Sequence, residues 1–291
     1  VEPPLKRFCQ KLEFSLGKGS HGTHVYVGIM EDGSPVAVKA MLINSCKELA
    51  ENESDILGLV ETERSPFIVN YRKFLKQSIF MYLILELCEE SLRKHVESKP
   101  IEFLREYGPG MIQQILSGLK FLHDRNILHR DLKPSNVLVD ITGRMRLTDF
   151  GISRVLDDEQ TTLYTCAKGT EGWIPPEVIK VIKTGISEER GPFKKKSDVH
   201  VAGMIAFYIL RKGEHLFGDD LSQMTNILEG NPVNLENFED LEAKDFISLL
   251  IRHDIHDRPS ADEALRQPFL HQVKIYEELP PKILLVDDDS D

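Results

Sequence analysis

The spacing of apolar residues changes character along the chain. In the first ninety or so residues they tend to alternate with polar ones; later they recur every third or fourth position. VYVGIM and PVAVKAM, separated by EDGS, predict two strands joined by a hairpin turn at Asp32-Gly33. Residues 46–60 carry helical spacing, with Leu49, Ile56, Leu57 and Val60 apolar between glutamates and lysines. Two further strand-like runs follow, ending in FMYLILEL (80–87). Beyond residue 90 helices are expected: SLRKHVESK, then GMIQQILSGLKFLHDRN with Ile112, Ile115, Leu116, Leu119 and Leu122 on one stripe, then DVHVAGMIAFYILRK (198–212) and residues 241–252 and 260–270. Ser260 followed by Glu263 forms a capping box for the last of these. The pattern therefore predicts an α+β chain. A small strand-rich half (14–87) joins a larger helical half (91–271) near Cys88–Ser91, flanked by a polar lead-in (1–13) and an acidic tail (272–291).

Composition narrows the class. The chain has 291 residues, 41% hydrophobic and 29% charged, as expected of a globular protein. No apolar run approaches the roughly 18 residues of a membrane-spanning helix, and VEPPLKRFCQ lacks a signal-peptide core. The missing initial methionine is expected of a piece of a longer chain. A net charge of −11 argues against a generally basic nucleic-acid surface, so no direct nucleic-acid binding is expected. Cys9, Cys46, Cys88 and Cys166 have no metal-ligand spacing and read as free thiols of a cytoplasmic protein.

LGKGSHGTHVY (16–26) sets Gly17, Gly19 and Gly22 between two predicted strands. Residues without Cβ let backbone N–H groups approach phosphate oxygens. Alone the spacing also fits an ordinary turn. A dinucleotide fold needs a helix after the glycines, whereas here a strand follows and then VAVK, ending at Lys39. His24 stands two residues after the third glycine, with Val25 next, and a one-residue bulge is expected to turn Val25 inward. A lysine among phosphates needs an anionic partner, and Glu53, sharing a helix face with Leu57, is preferred over Glu48 and Glu51.

HRDLKPSNVLVDITGRMRLTDFG (129–151) carries the chemistry. Phosphoryl transfer asks for an in-line hydroxyl, metal ions on the phosphates and positioned charges. Asp131 can accept the hydroxyl proton, Lys133 can steady the transferring oxygens, and Asn136 and Asp149 offer oxygen ligands suited to Mg²⁺. NVLVD and RMRLTD read as two strands joined by a turn at 141–144, which would bring Asp149 back beside Asn136.

With these motifs in order, residues 14–271 resemble the eukaryotic protein kinase family. The resemblance implies a bilobal fold with ATP in the cleft. It implies that Glu86 and Cys88 bond adenine through their backbones, and that Leu85 guards the back pocket. Val25, Ala37 and Leu138 would enclose the base, and DLKP implies serine/threonine specificity. It pairs Glu177 of IPPE with Arg258, gives Asp198 the bracing of the catalytic loop, sets Thr170 against Asp131 and Lys133, and stacks His129 and Phe150 toward Leu57. His200 stands where the family has tryptophan. GTEGWIPPE, LELC and the end of the glycine loop resemble the inositol-requiring unfolded-protein-response sensor kinase/endoribonucleases, related to the 2-5A-dependent ribonuclease. Only 22 residues follow Phe269, so no nuclease is expected within this chain.

The resemblance implies a protein substrate, ATP and Mg²⁺ as cofactors, a homodimer, and a place on the cytosolic face of the endoplasmic reticulum within a longer sensor. Thr161, Thr162 and Thr165 are candidate autophosphorylation sites, with Arg130 expected to meet the phosphate. Lys194–Lys196 reads as a solvated loop, and PPKILLVDDDSD as an acidic tail or truncated linker. A nucleotide-sensing dimerisation scaffold is the alternative to an active kinase.

Overall fold

The computed structural model describes residues 4–18, 23–61, 64–77, 79–155, 163–165, 169–183, 191–219, 221–271 and 274. The strand-rich half forms one antiparallel sheet from β1 (Leu5–Phe8), β2 (Ser15–Lys18), β3 (His24–Met30), β4 (Pro35–Leu42), β5 (Tyr71–Gln77) and β6 (Phe80–Glu86). Its order is β1-β3-β4-β6-β5, with β2 also on β3. The predicted hairpin is present: Gly33 takes φ +85°, Met30 N donates to Ser34 O, and Asp32 Oδ1 accepts from Ser34 N. The polar lead-in differs from expectation, because β1 lies within it. Phe8 packs edge-on against Tyr82, with ring centroids 5.1 Å apart, covering the outer sheet face.

Helix α1 (Ile43–Glu61) crosses the inner face, starting three residues before the predicted span. Ala50, Ile56, Leu57 and Val60 are buried at helical spacing and join the main core.

β7 (Glu90–Ser91) opens the helical half, followed by α2 (Leu92–Ser98), capped by Ser91 Oγ, and α3 (Ile101–Asp124). The helix expected from Gly110 starts nine residues earlier, and α3 runs straight through Gly108, Pro109 and Gly110. Gly108 permits this close packing, since a Cβ there would meet Leu210 Cδ2 at 3.0 Å. β8 (Ile127–Leu128), β9 (Val137–Val139), β10 (Met145–Leu147) and β11 (Arg154–Val155) are short and carry the catalytic segment. β12 (Leu163–Thr165) pairs antiparallel with β13 (Gly191–Phe193), on the far side of α4 (Pro176–Lys183). Then come α5 (Lys195–Leu210), α6 (Gln223–Glu229), α7 (Leu241–Leu250) and α8 (Ala261–Leu265). Lys195 and Lys196 therefore begin a helix rather than sit in a loop, and α5 is buried from Ser197 to Leu210 as the central column. The capping box of Ser260 and Glu263 is formed. Among the described residues no helix is long and apolar enough to cross a membrane.

Candidate active site

Between the two halves lies a cavity of about 510 Å³, within the range of small-molecule sites. Its roof is sheet. Gly17, Val25 and Ala37 line it, and so does Lys39. Gly19 and Gly22 lie outside the described residues. Val25 faces the cavity and His24 does not; the ring of His24 stacks on Tyr26 instead. The register irregularity that accompanies this lies in β2, between Ser15 and Gly17, not in β3 as expected. Leu16, at that irregularity, also lines the roof; its apolar character beside the first loop glycine was a signal available in sequence.

The back edge is the strand end and loop 85–89, with Leu85, Glu86 and Cys88 all on the cavity wall. The Glu86 side chain is occupied elsewhere: Oε2 accepts from Asn70 N, and Oε1 lies 3.3 Å from the Arg146 guanidinium. Arg146 is itself fixed by Asp140 at 2.8 Å. The backbone N–H of Glu86 is taken too, by Asn70 O at 2.9 Å, which leaves the carbonyl as the group Glu86 could turn to the cavity. Burial, with Glu86 nearby, pushes the Cys88 thiol up to about 12, leaving it an inert neutral wall.

At the inner end Lys39 Nζ donates to Glu53 Oε2 at 2.6 Å and to Asp149 Oδ1 at 2.9 Å. Helical phase explains the choice of glutamate: Glu53 is buried on the Leu57 face, Glu48 is exposed, and Glu51 points toward Lys76. Burial works to neutralise the ammonium of Lys39, but the carboxylates of Asp149 and Glu53 outweigh it and hold its pKa above the ordinary lysine value. Burial likewise opposes ionisation of Asp149, and Lys39 overrides it, so Asp149 sits below the usual carboxylate range. Two acids share one base, and burial pushes Glu53 upward.

The floor is the catalytic segment. β9 and β10 pair as the predicted hairpin, and Thr148 N donates to Asn136 O at 3.1 Å, which returns Asp149 to Asn136. Asp131 accepts from Lys133 Nζ (3.0 Å), Thr170 Oγ1 (2.7 Å) and Asn136 Nδ2 (3.0 Å). Lys133 also donates to the Thr170 hydroxyl. Asn136 Nδ2 additionally holds Asp131 O, so its amide nitrogen is spent within the loop. Among the described residues no donor is spent on Asn136 Oδ1 or Asp149 Oδ2. That leaves two hard oxygen atoms on adjoining walls, a donor set that fits a divalent cation. Leu138 also lines the cavity.

Behind the floor, Asp198 accepts from His123 Nε2, His129 N and Arg130 N, each at 3.0 Å. Phe150 is fully buried against His129, with centroids 5.3 Å apart. Burial lowers the His129 pKa, so the ring stays neutral there. Glu177 pairs bidentately with Arg258 (3.0 and 2.8 Å) and accepts from Ser197 Oγ. The Arg130 guanidinium lies over the Phe193 ring, 4.9 Å from its centroid. Thr161 and Thr162 lie outside the described residues; Thr165 ends β12. The acidic tail also lies outside them, apart from Lys274.

Comparisons with known proteins agree with this arrangement. The family model for the protein kinase domain matches residues 11–270. A human protein named serine/threonine-protein kinase/endoribonuclease IRE2 is 34% identical over 267 residues, covering 87% of this chain and 28% of the relative. The serine/threonine-protein kinase/endoribonuclease IRE1 of Hypocrea jecorina is 33% identical over 304 residues, covering 90% and 24%. The probable serine/threonine-protein kinase irlD of Dictyostelium discoideum is 33% identical over 297 residues, covering 92% and 19%. The chain thus spans between 19% and 28% of these relatives' lengths. With a matching domain over nearly all the described residues and the charged set assembled around one cleft, the chain belongs to the protein kinase family.

Proposed function

We propose that this chain transfers the γ-phosphoryl group of Mg²⁺-bound ATP to serine and threonine hydroxyls of proteins. One observation carries the reading: Lys39, Glu53 and Asp149 meet at one end of the cavity, while Asp131, Lys133, Asn136 and Thr170 form a single hydrogen-bonded floor beside it. Each has work to do. Asp131 takes the proton of the incoming hydroxyl. Lys133 spreads the charge that develops on the transferring oxygens, and Thr170 keeps Asp131 and Lys133 aligned. Lys39, held by Glu53, steadies the nucleotide phosphates. Backbone groups of Glu86 and Cys88 bond adenine, between Val25 and Ala37 above and Leu138 below, and the loop that carries Gly17, Gly19 and Gly22 supplies backbone N–H groups to the phosphates. Asn136 and Asp149 would hold Mg²⁺, which when bound neutralises phosphate charge.

The complete charged set favours catalysis over a scaffold that only senses nucleotide. The names of the relatives support a further step: the chain is the kinase portion of a longer kinase/endoribonuclease-type sensor, working as a homodimer at the endoplasmic reticulum. Autophosphorylation is expected within residues 161–165, at Thr161, Thr162 or Thr165.

Transfer of label from γ-labelled ATP by purified protein, compared with Asp131→Asn, tests the central claim. A label at least about a hundredfold weaker in the variant is expected. Equal labelling of both overturns it. Peptide mass analysis of the 156–168 region after incubation with ATP tests the phosphosites.

A further inference from the structure

Asn52 immediately precedes the glutamate that holds Lys39, and its side chain reaches the turn after Asp149. Its amide nitrogen lies 3.0 Å from Phe150 O, 3.0 Å from Gly151 O and 3.1 Å from Ser153 O. Three carbonyls of one turn converge on one NH₂ group, whose two hydrogens are shared among them, so at least one bond is three-centred; a carboxylate in its place would supply none. The turn is anchored at its other side as well. Ser153 N donates to Phe150 O, and Ser153 Oγ donates to His129 O at 2.9 Å, next to the catalytic loop. Asp149, just before the turn, has a left-handed backbone with φ +66°, uncommon for a residue with a Cβ.

We propose that Asn52 is a positioning residue that fastens α1 to the 150–153 turn, so that Glu53 and Asp149 reach Lys39 as one unit. The stitch runs from α1 through Asn52 to Ser153 and on to His129. It couples the position of the helix, which sets Lys39, to the backbone that presents Asp149 to the nucleotide phosphates. With the donor removed, α1 and the turn can shift independently, and the strained Asp149 backbone loses the bonds that follow it.

This inference rests on the phosphoryl-transfer reading, which the wild-type rate and the Asp131→Asn control test separately. Asn52→Asp keeps the shape of the side chain but removes its donors and sets a carboxylate against three carbonyls. Asn52→Gln keeps the amide. Steady-state kinetics would be measured together with equilibrium binding of a fluorescent ATP analogue, melting temperature, and amide hydrogen exchange across residues 147–155. Asn52→Asp is expected to raise KM and Kd for the nucleotide by about fivefold or more and lower kcat by about tenfold, with faster exchange in the turn and little change in melting temperature. Asn52→Gln is expected to recover part of each loss. A purely structural stitch would reduce the active fraction and leave KM untouched. Nucleotide KM and Kd within twofold of wild type in Asn52→Asp, or Asn52→Gln as impaired as Asn52→Asp, would overturn the proposal. If Asn52→Asp fails to fold, Asn52→Ala is judged by the same KM and Kd limits. The binding measurement needs no turnover, so it decides the matter even for a slow enzyme.

Discussion

Asp149 and Asp198 present the same carboxylate in opposite circumstances. Asp198 is 1% exposed and takes three donors from the helical half, two of them the backbone N–H groups of His129 and Arg130. Those two bonds flank the positive φ of Arg130 (+70°) and hold a backbone turn that its side chain disfavours. Burial opposes ionisation of Asp198, but the His123 hydrogen bond and the rest of the set hold its pKa below the usual carboxylate range. Among the described residues Asp149 has one side-chain donor, Lys39, which comes from the opposite half of the molecule, and 29% of its side chain remains exposed. A saturated carboxylate stabilises a scaffold. An unsaturated one keeps an oxygen for a ligand and depends on distant elements to hold it.

The contrast is broken most severely by exchanging the losses. Asp198→Ala leaves three buried donors without an acceptor, and removing a buried charged partner costs about 3–5 kcal/mol. The melting temperature should fall by roughly 10 °C. Asp149→Asn should leave the melting temperature within a few degrees of wild type, since Glu53 still partners Lys39. Phosphoryl transfer should nevertheless fall at least about a thousandfold, near 4 kcal/mol of transition-state stabilisation. Calorimetry and labelled-phosphate transfer on the same two preparations separate the effects. A stable Asp198→Ala or an active Asp149→Asn would erase the distinction.

Glu53→Gln sharpens the comparison at smaller cost. The amide still offers an oxygen to Lys39, and the ammonium keeps Asp149, so folding should change little. The lysine loses one of the two charges that fix it, and transfer should drop about 10- to 100-fold, mainly in nucleotide KM and kcat together. Nucleotide titration and initial rates read this directly, and a rate within twofold of wild type would demote Glu53 to a packing residue.

Legibility in the sequence follows the same divide. The catalytic set could be read because residue type and spacing are themselves the chemistry: Asp131, Lys133 and Asn136 come just before a short hairpin and Asp149 just after it, and local pattern predicts that hairpin. Glu53 could be chosen among three glutamates because helical phase ties it to Leu57. The contacts of Asn52 could not be read, since its partners are backbone carbonyls 98 to 101 positions away and carbonyls leave no trace in residue identity. The β1 strand was missed because its support is tertiary, Phe8 against Tyr82. The first nine residues of α3 lie outside the segment that the pattern predicts, since glycine and proline at 108–110 carry no helical signal and Gly108 finds its reason only against α5. Nor does pattern alone reveal the pairing of β12 with β13, which lays Phe193 against Arg130, the residue expected to meet a phosphate.

The smallest expected effect concerns His200, two residues beyond Asp198 on the same buried helix. Its ring stacks on Phe217, centroids 6.0 Å apart, and among the described residues its buried Nδ1 has no hydrogen-bond partner. Burial, reinforced by the positive charge of Arg258 and by His253, holds its pKa well below the ordinary imidazole value. Above about pH 6.5 the ring is neutral whether the chain is folded or not, and it has no effect on the pH slope. Below that, the unfolded chain takes up a proton that the folded chain refuses. Stability is therefore lost as pH falls from there toward the folded pKa, and His129, lowered by burial too, adds to the loss in the same direction. His200→Phe removes one of the two contributions and an unpaired buried nitrogen as well. Its melting temperature should match or exceed wild type at pH 7.5, and between pH 7.5 and 5.5 it should lose less, by on the order of 1 kcal/mol or 2–4 °C. Parallel melting curves for the two proteins over that range would show that the ring at this position is already protonated in the fold, or that a water satisfies it, and the scaffold beneath Asp198 would then be less dry than its saturated hydrogen bonding implies.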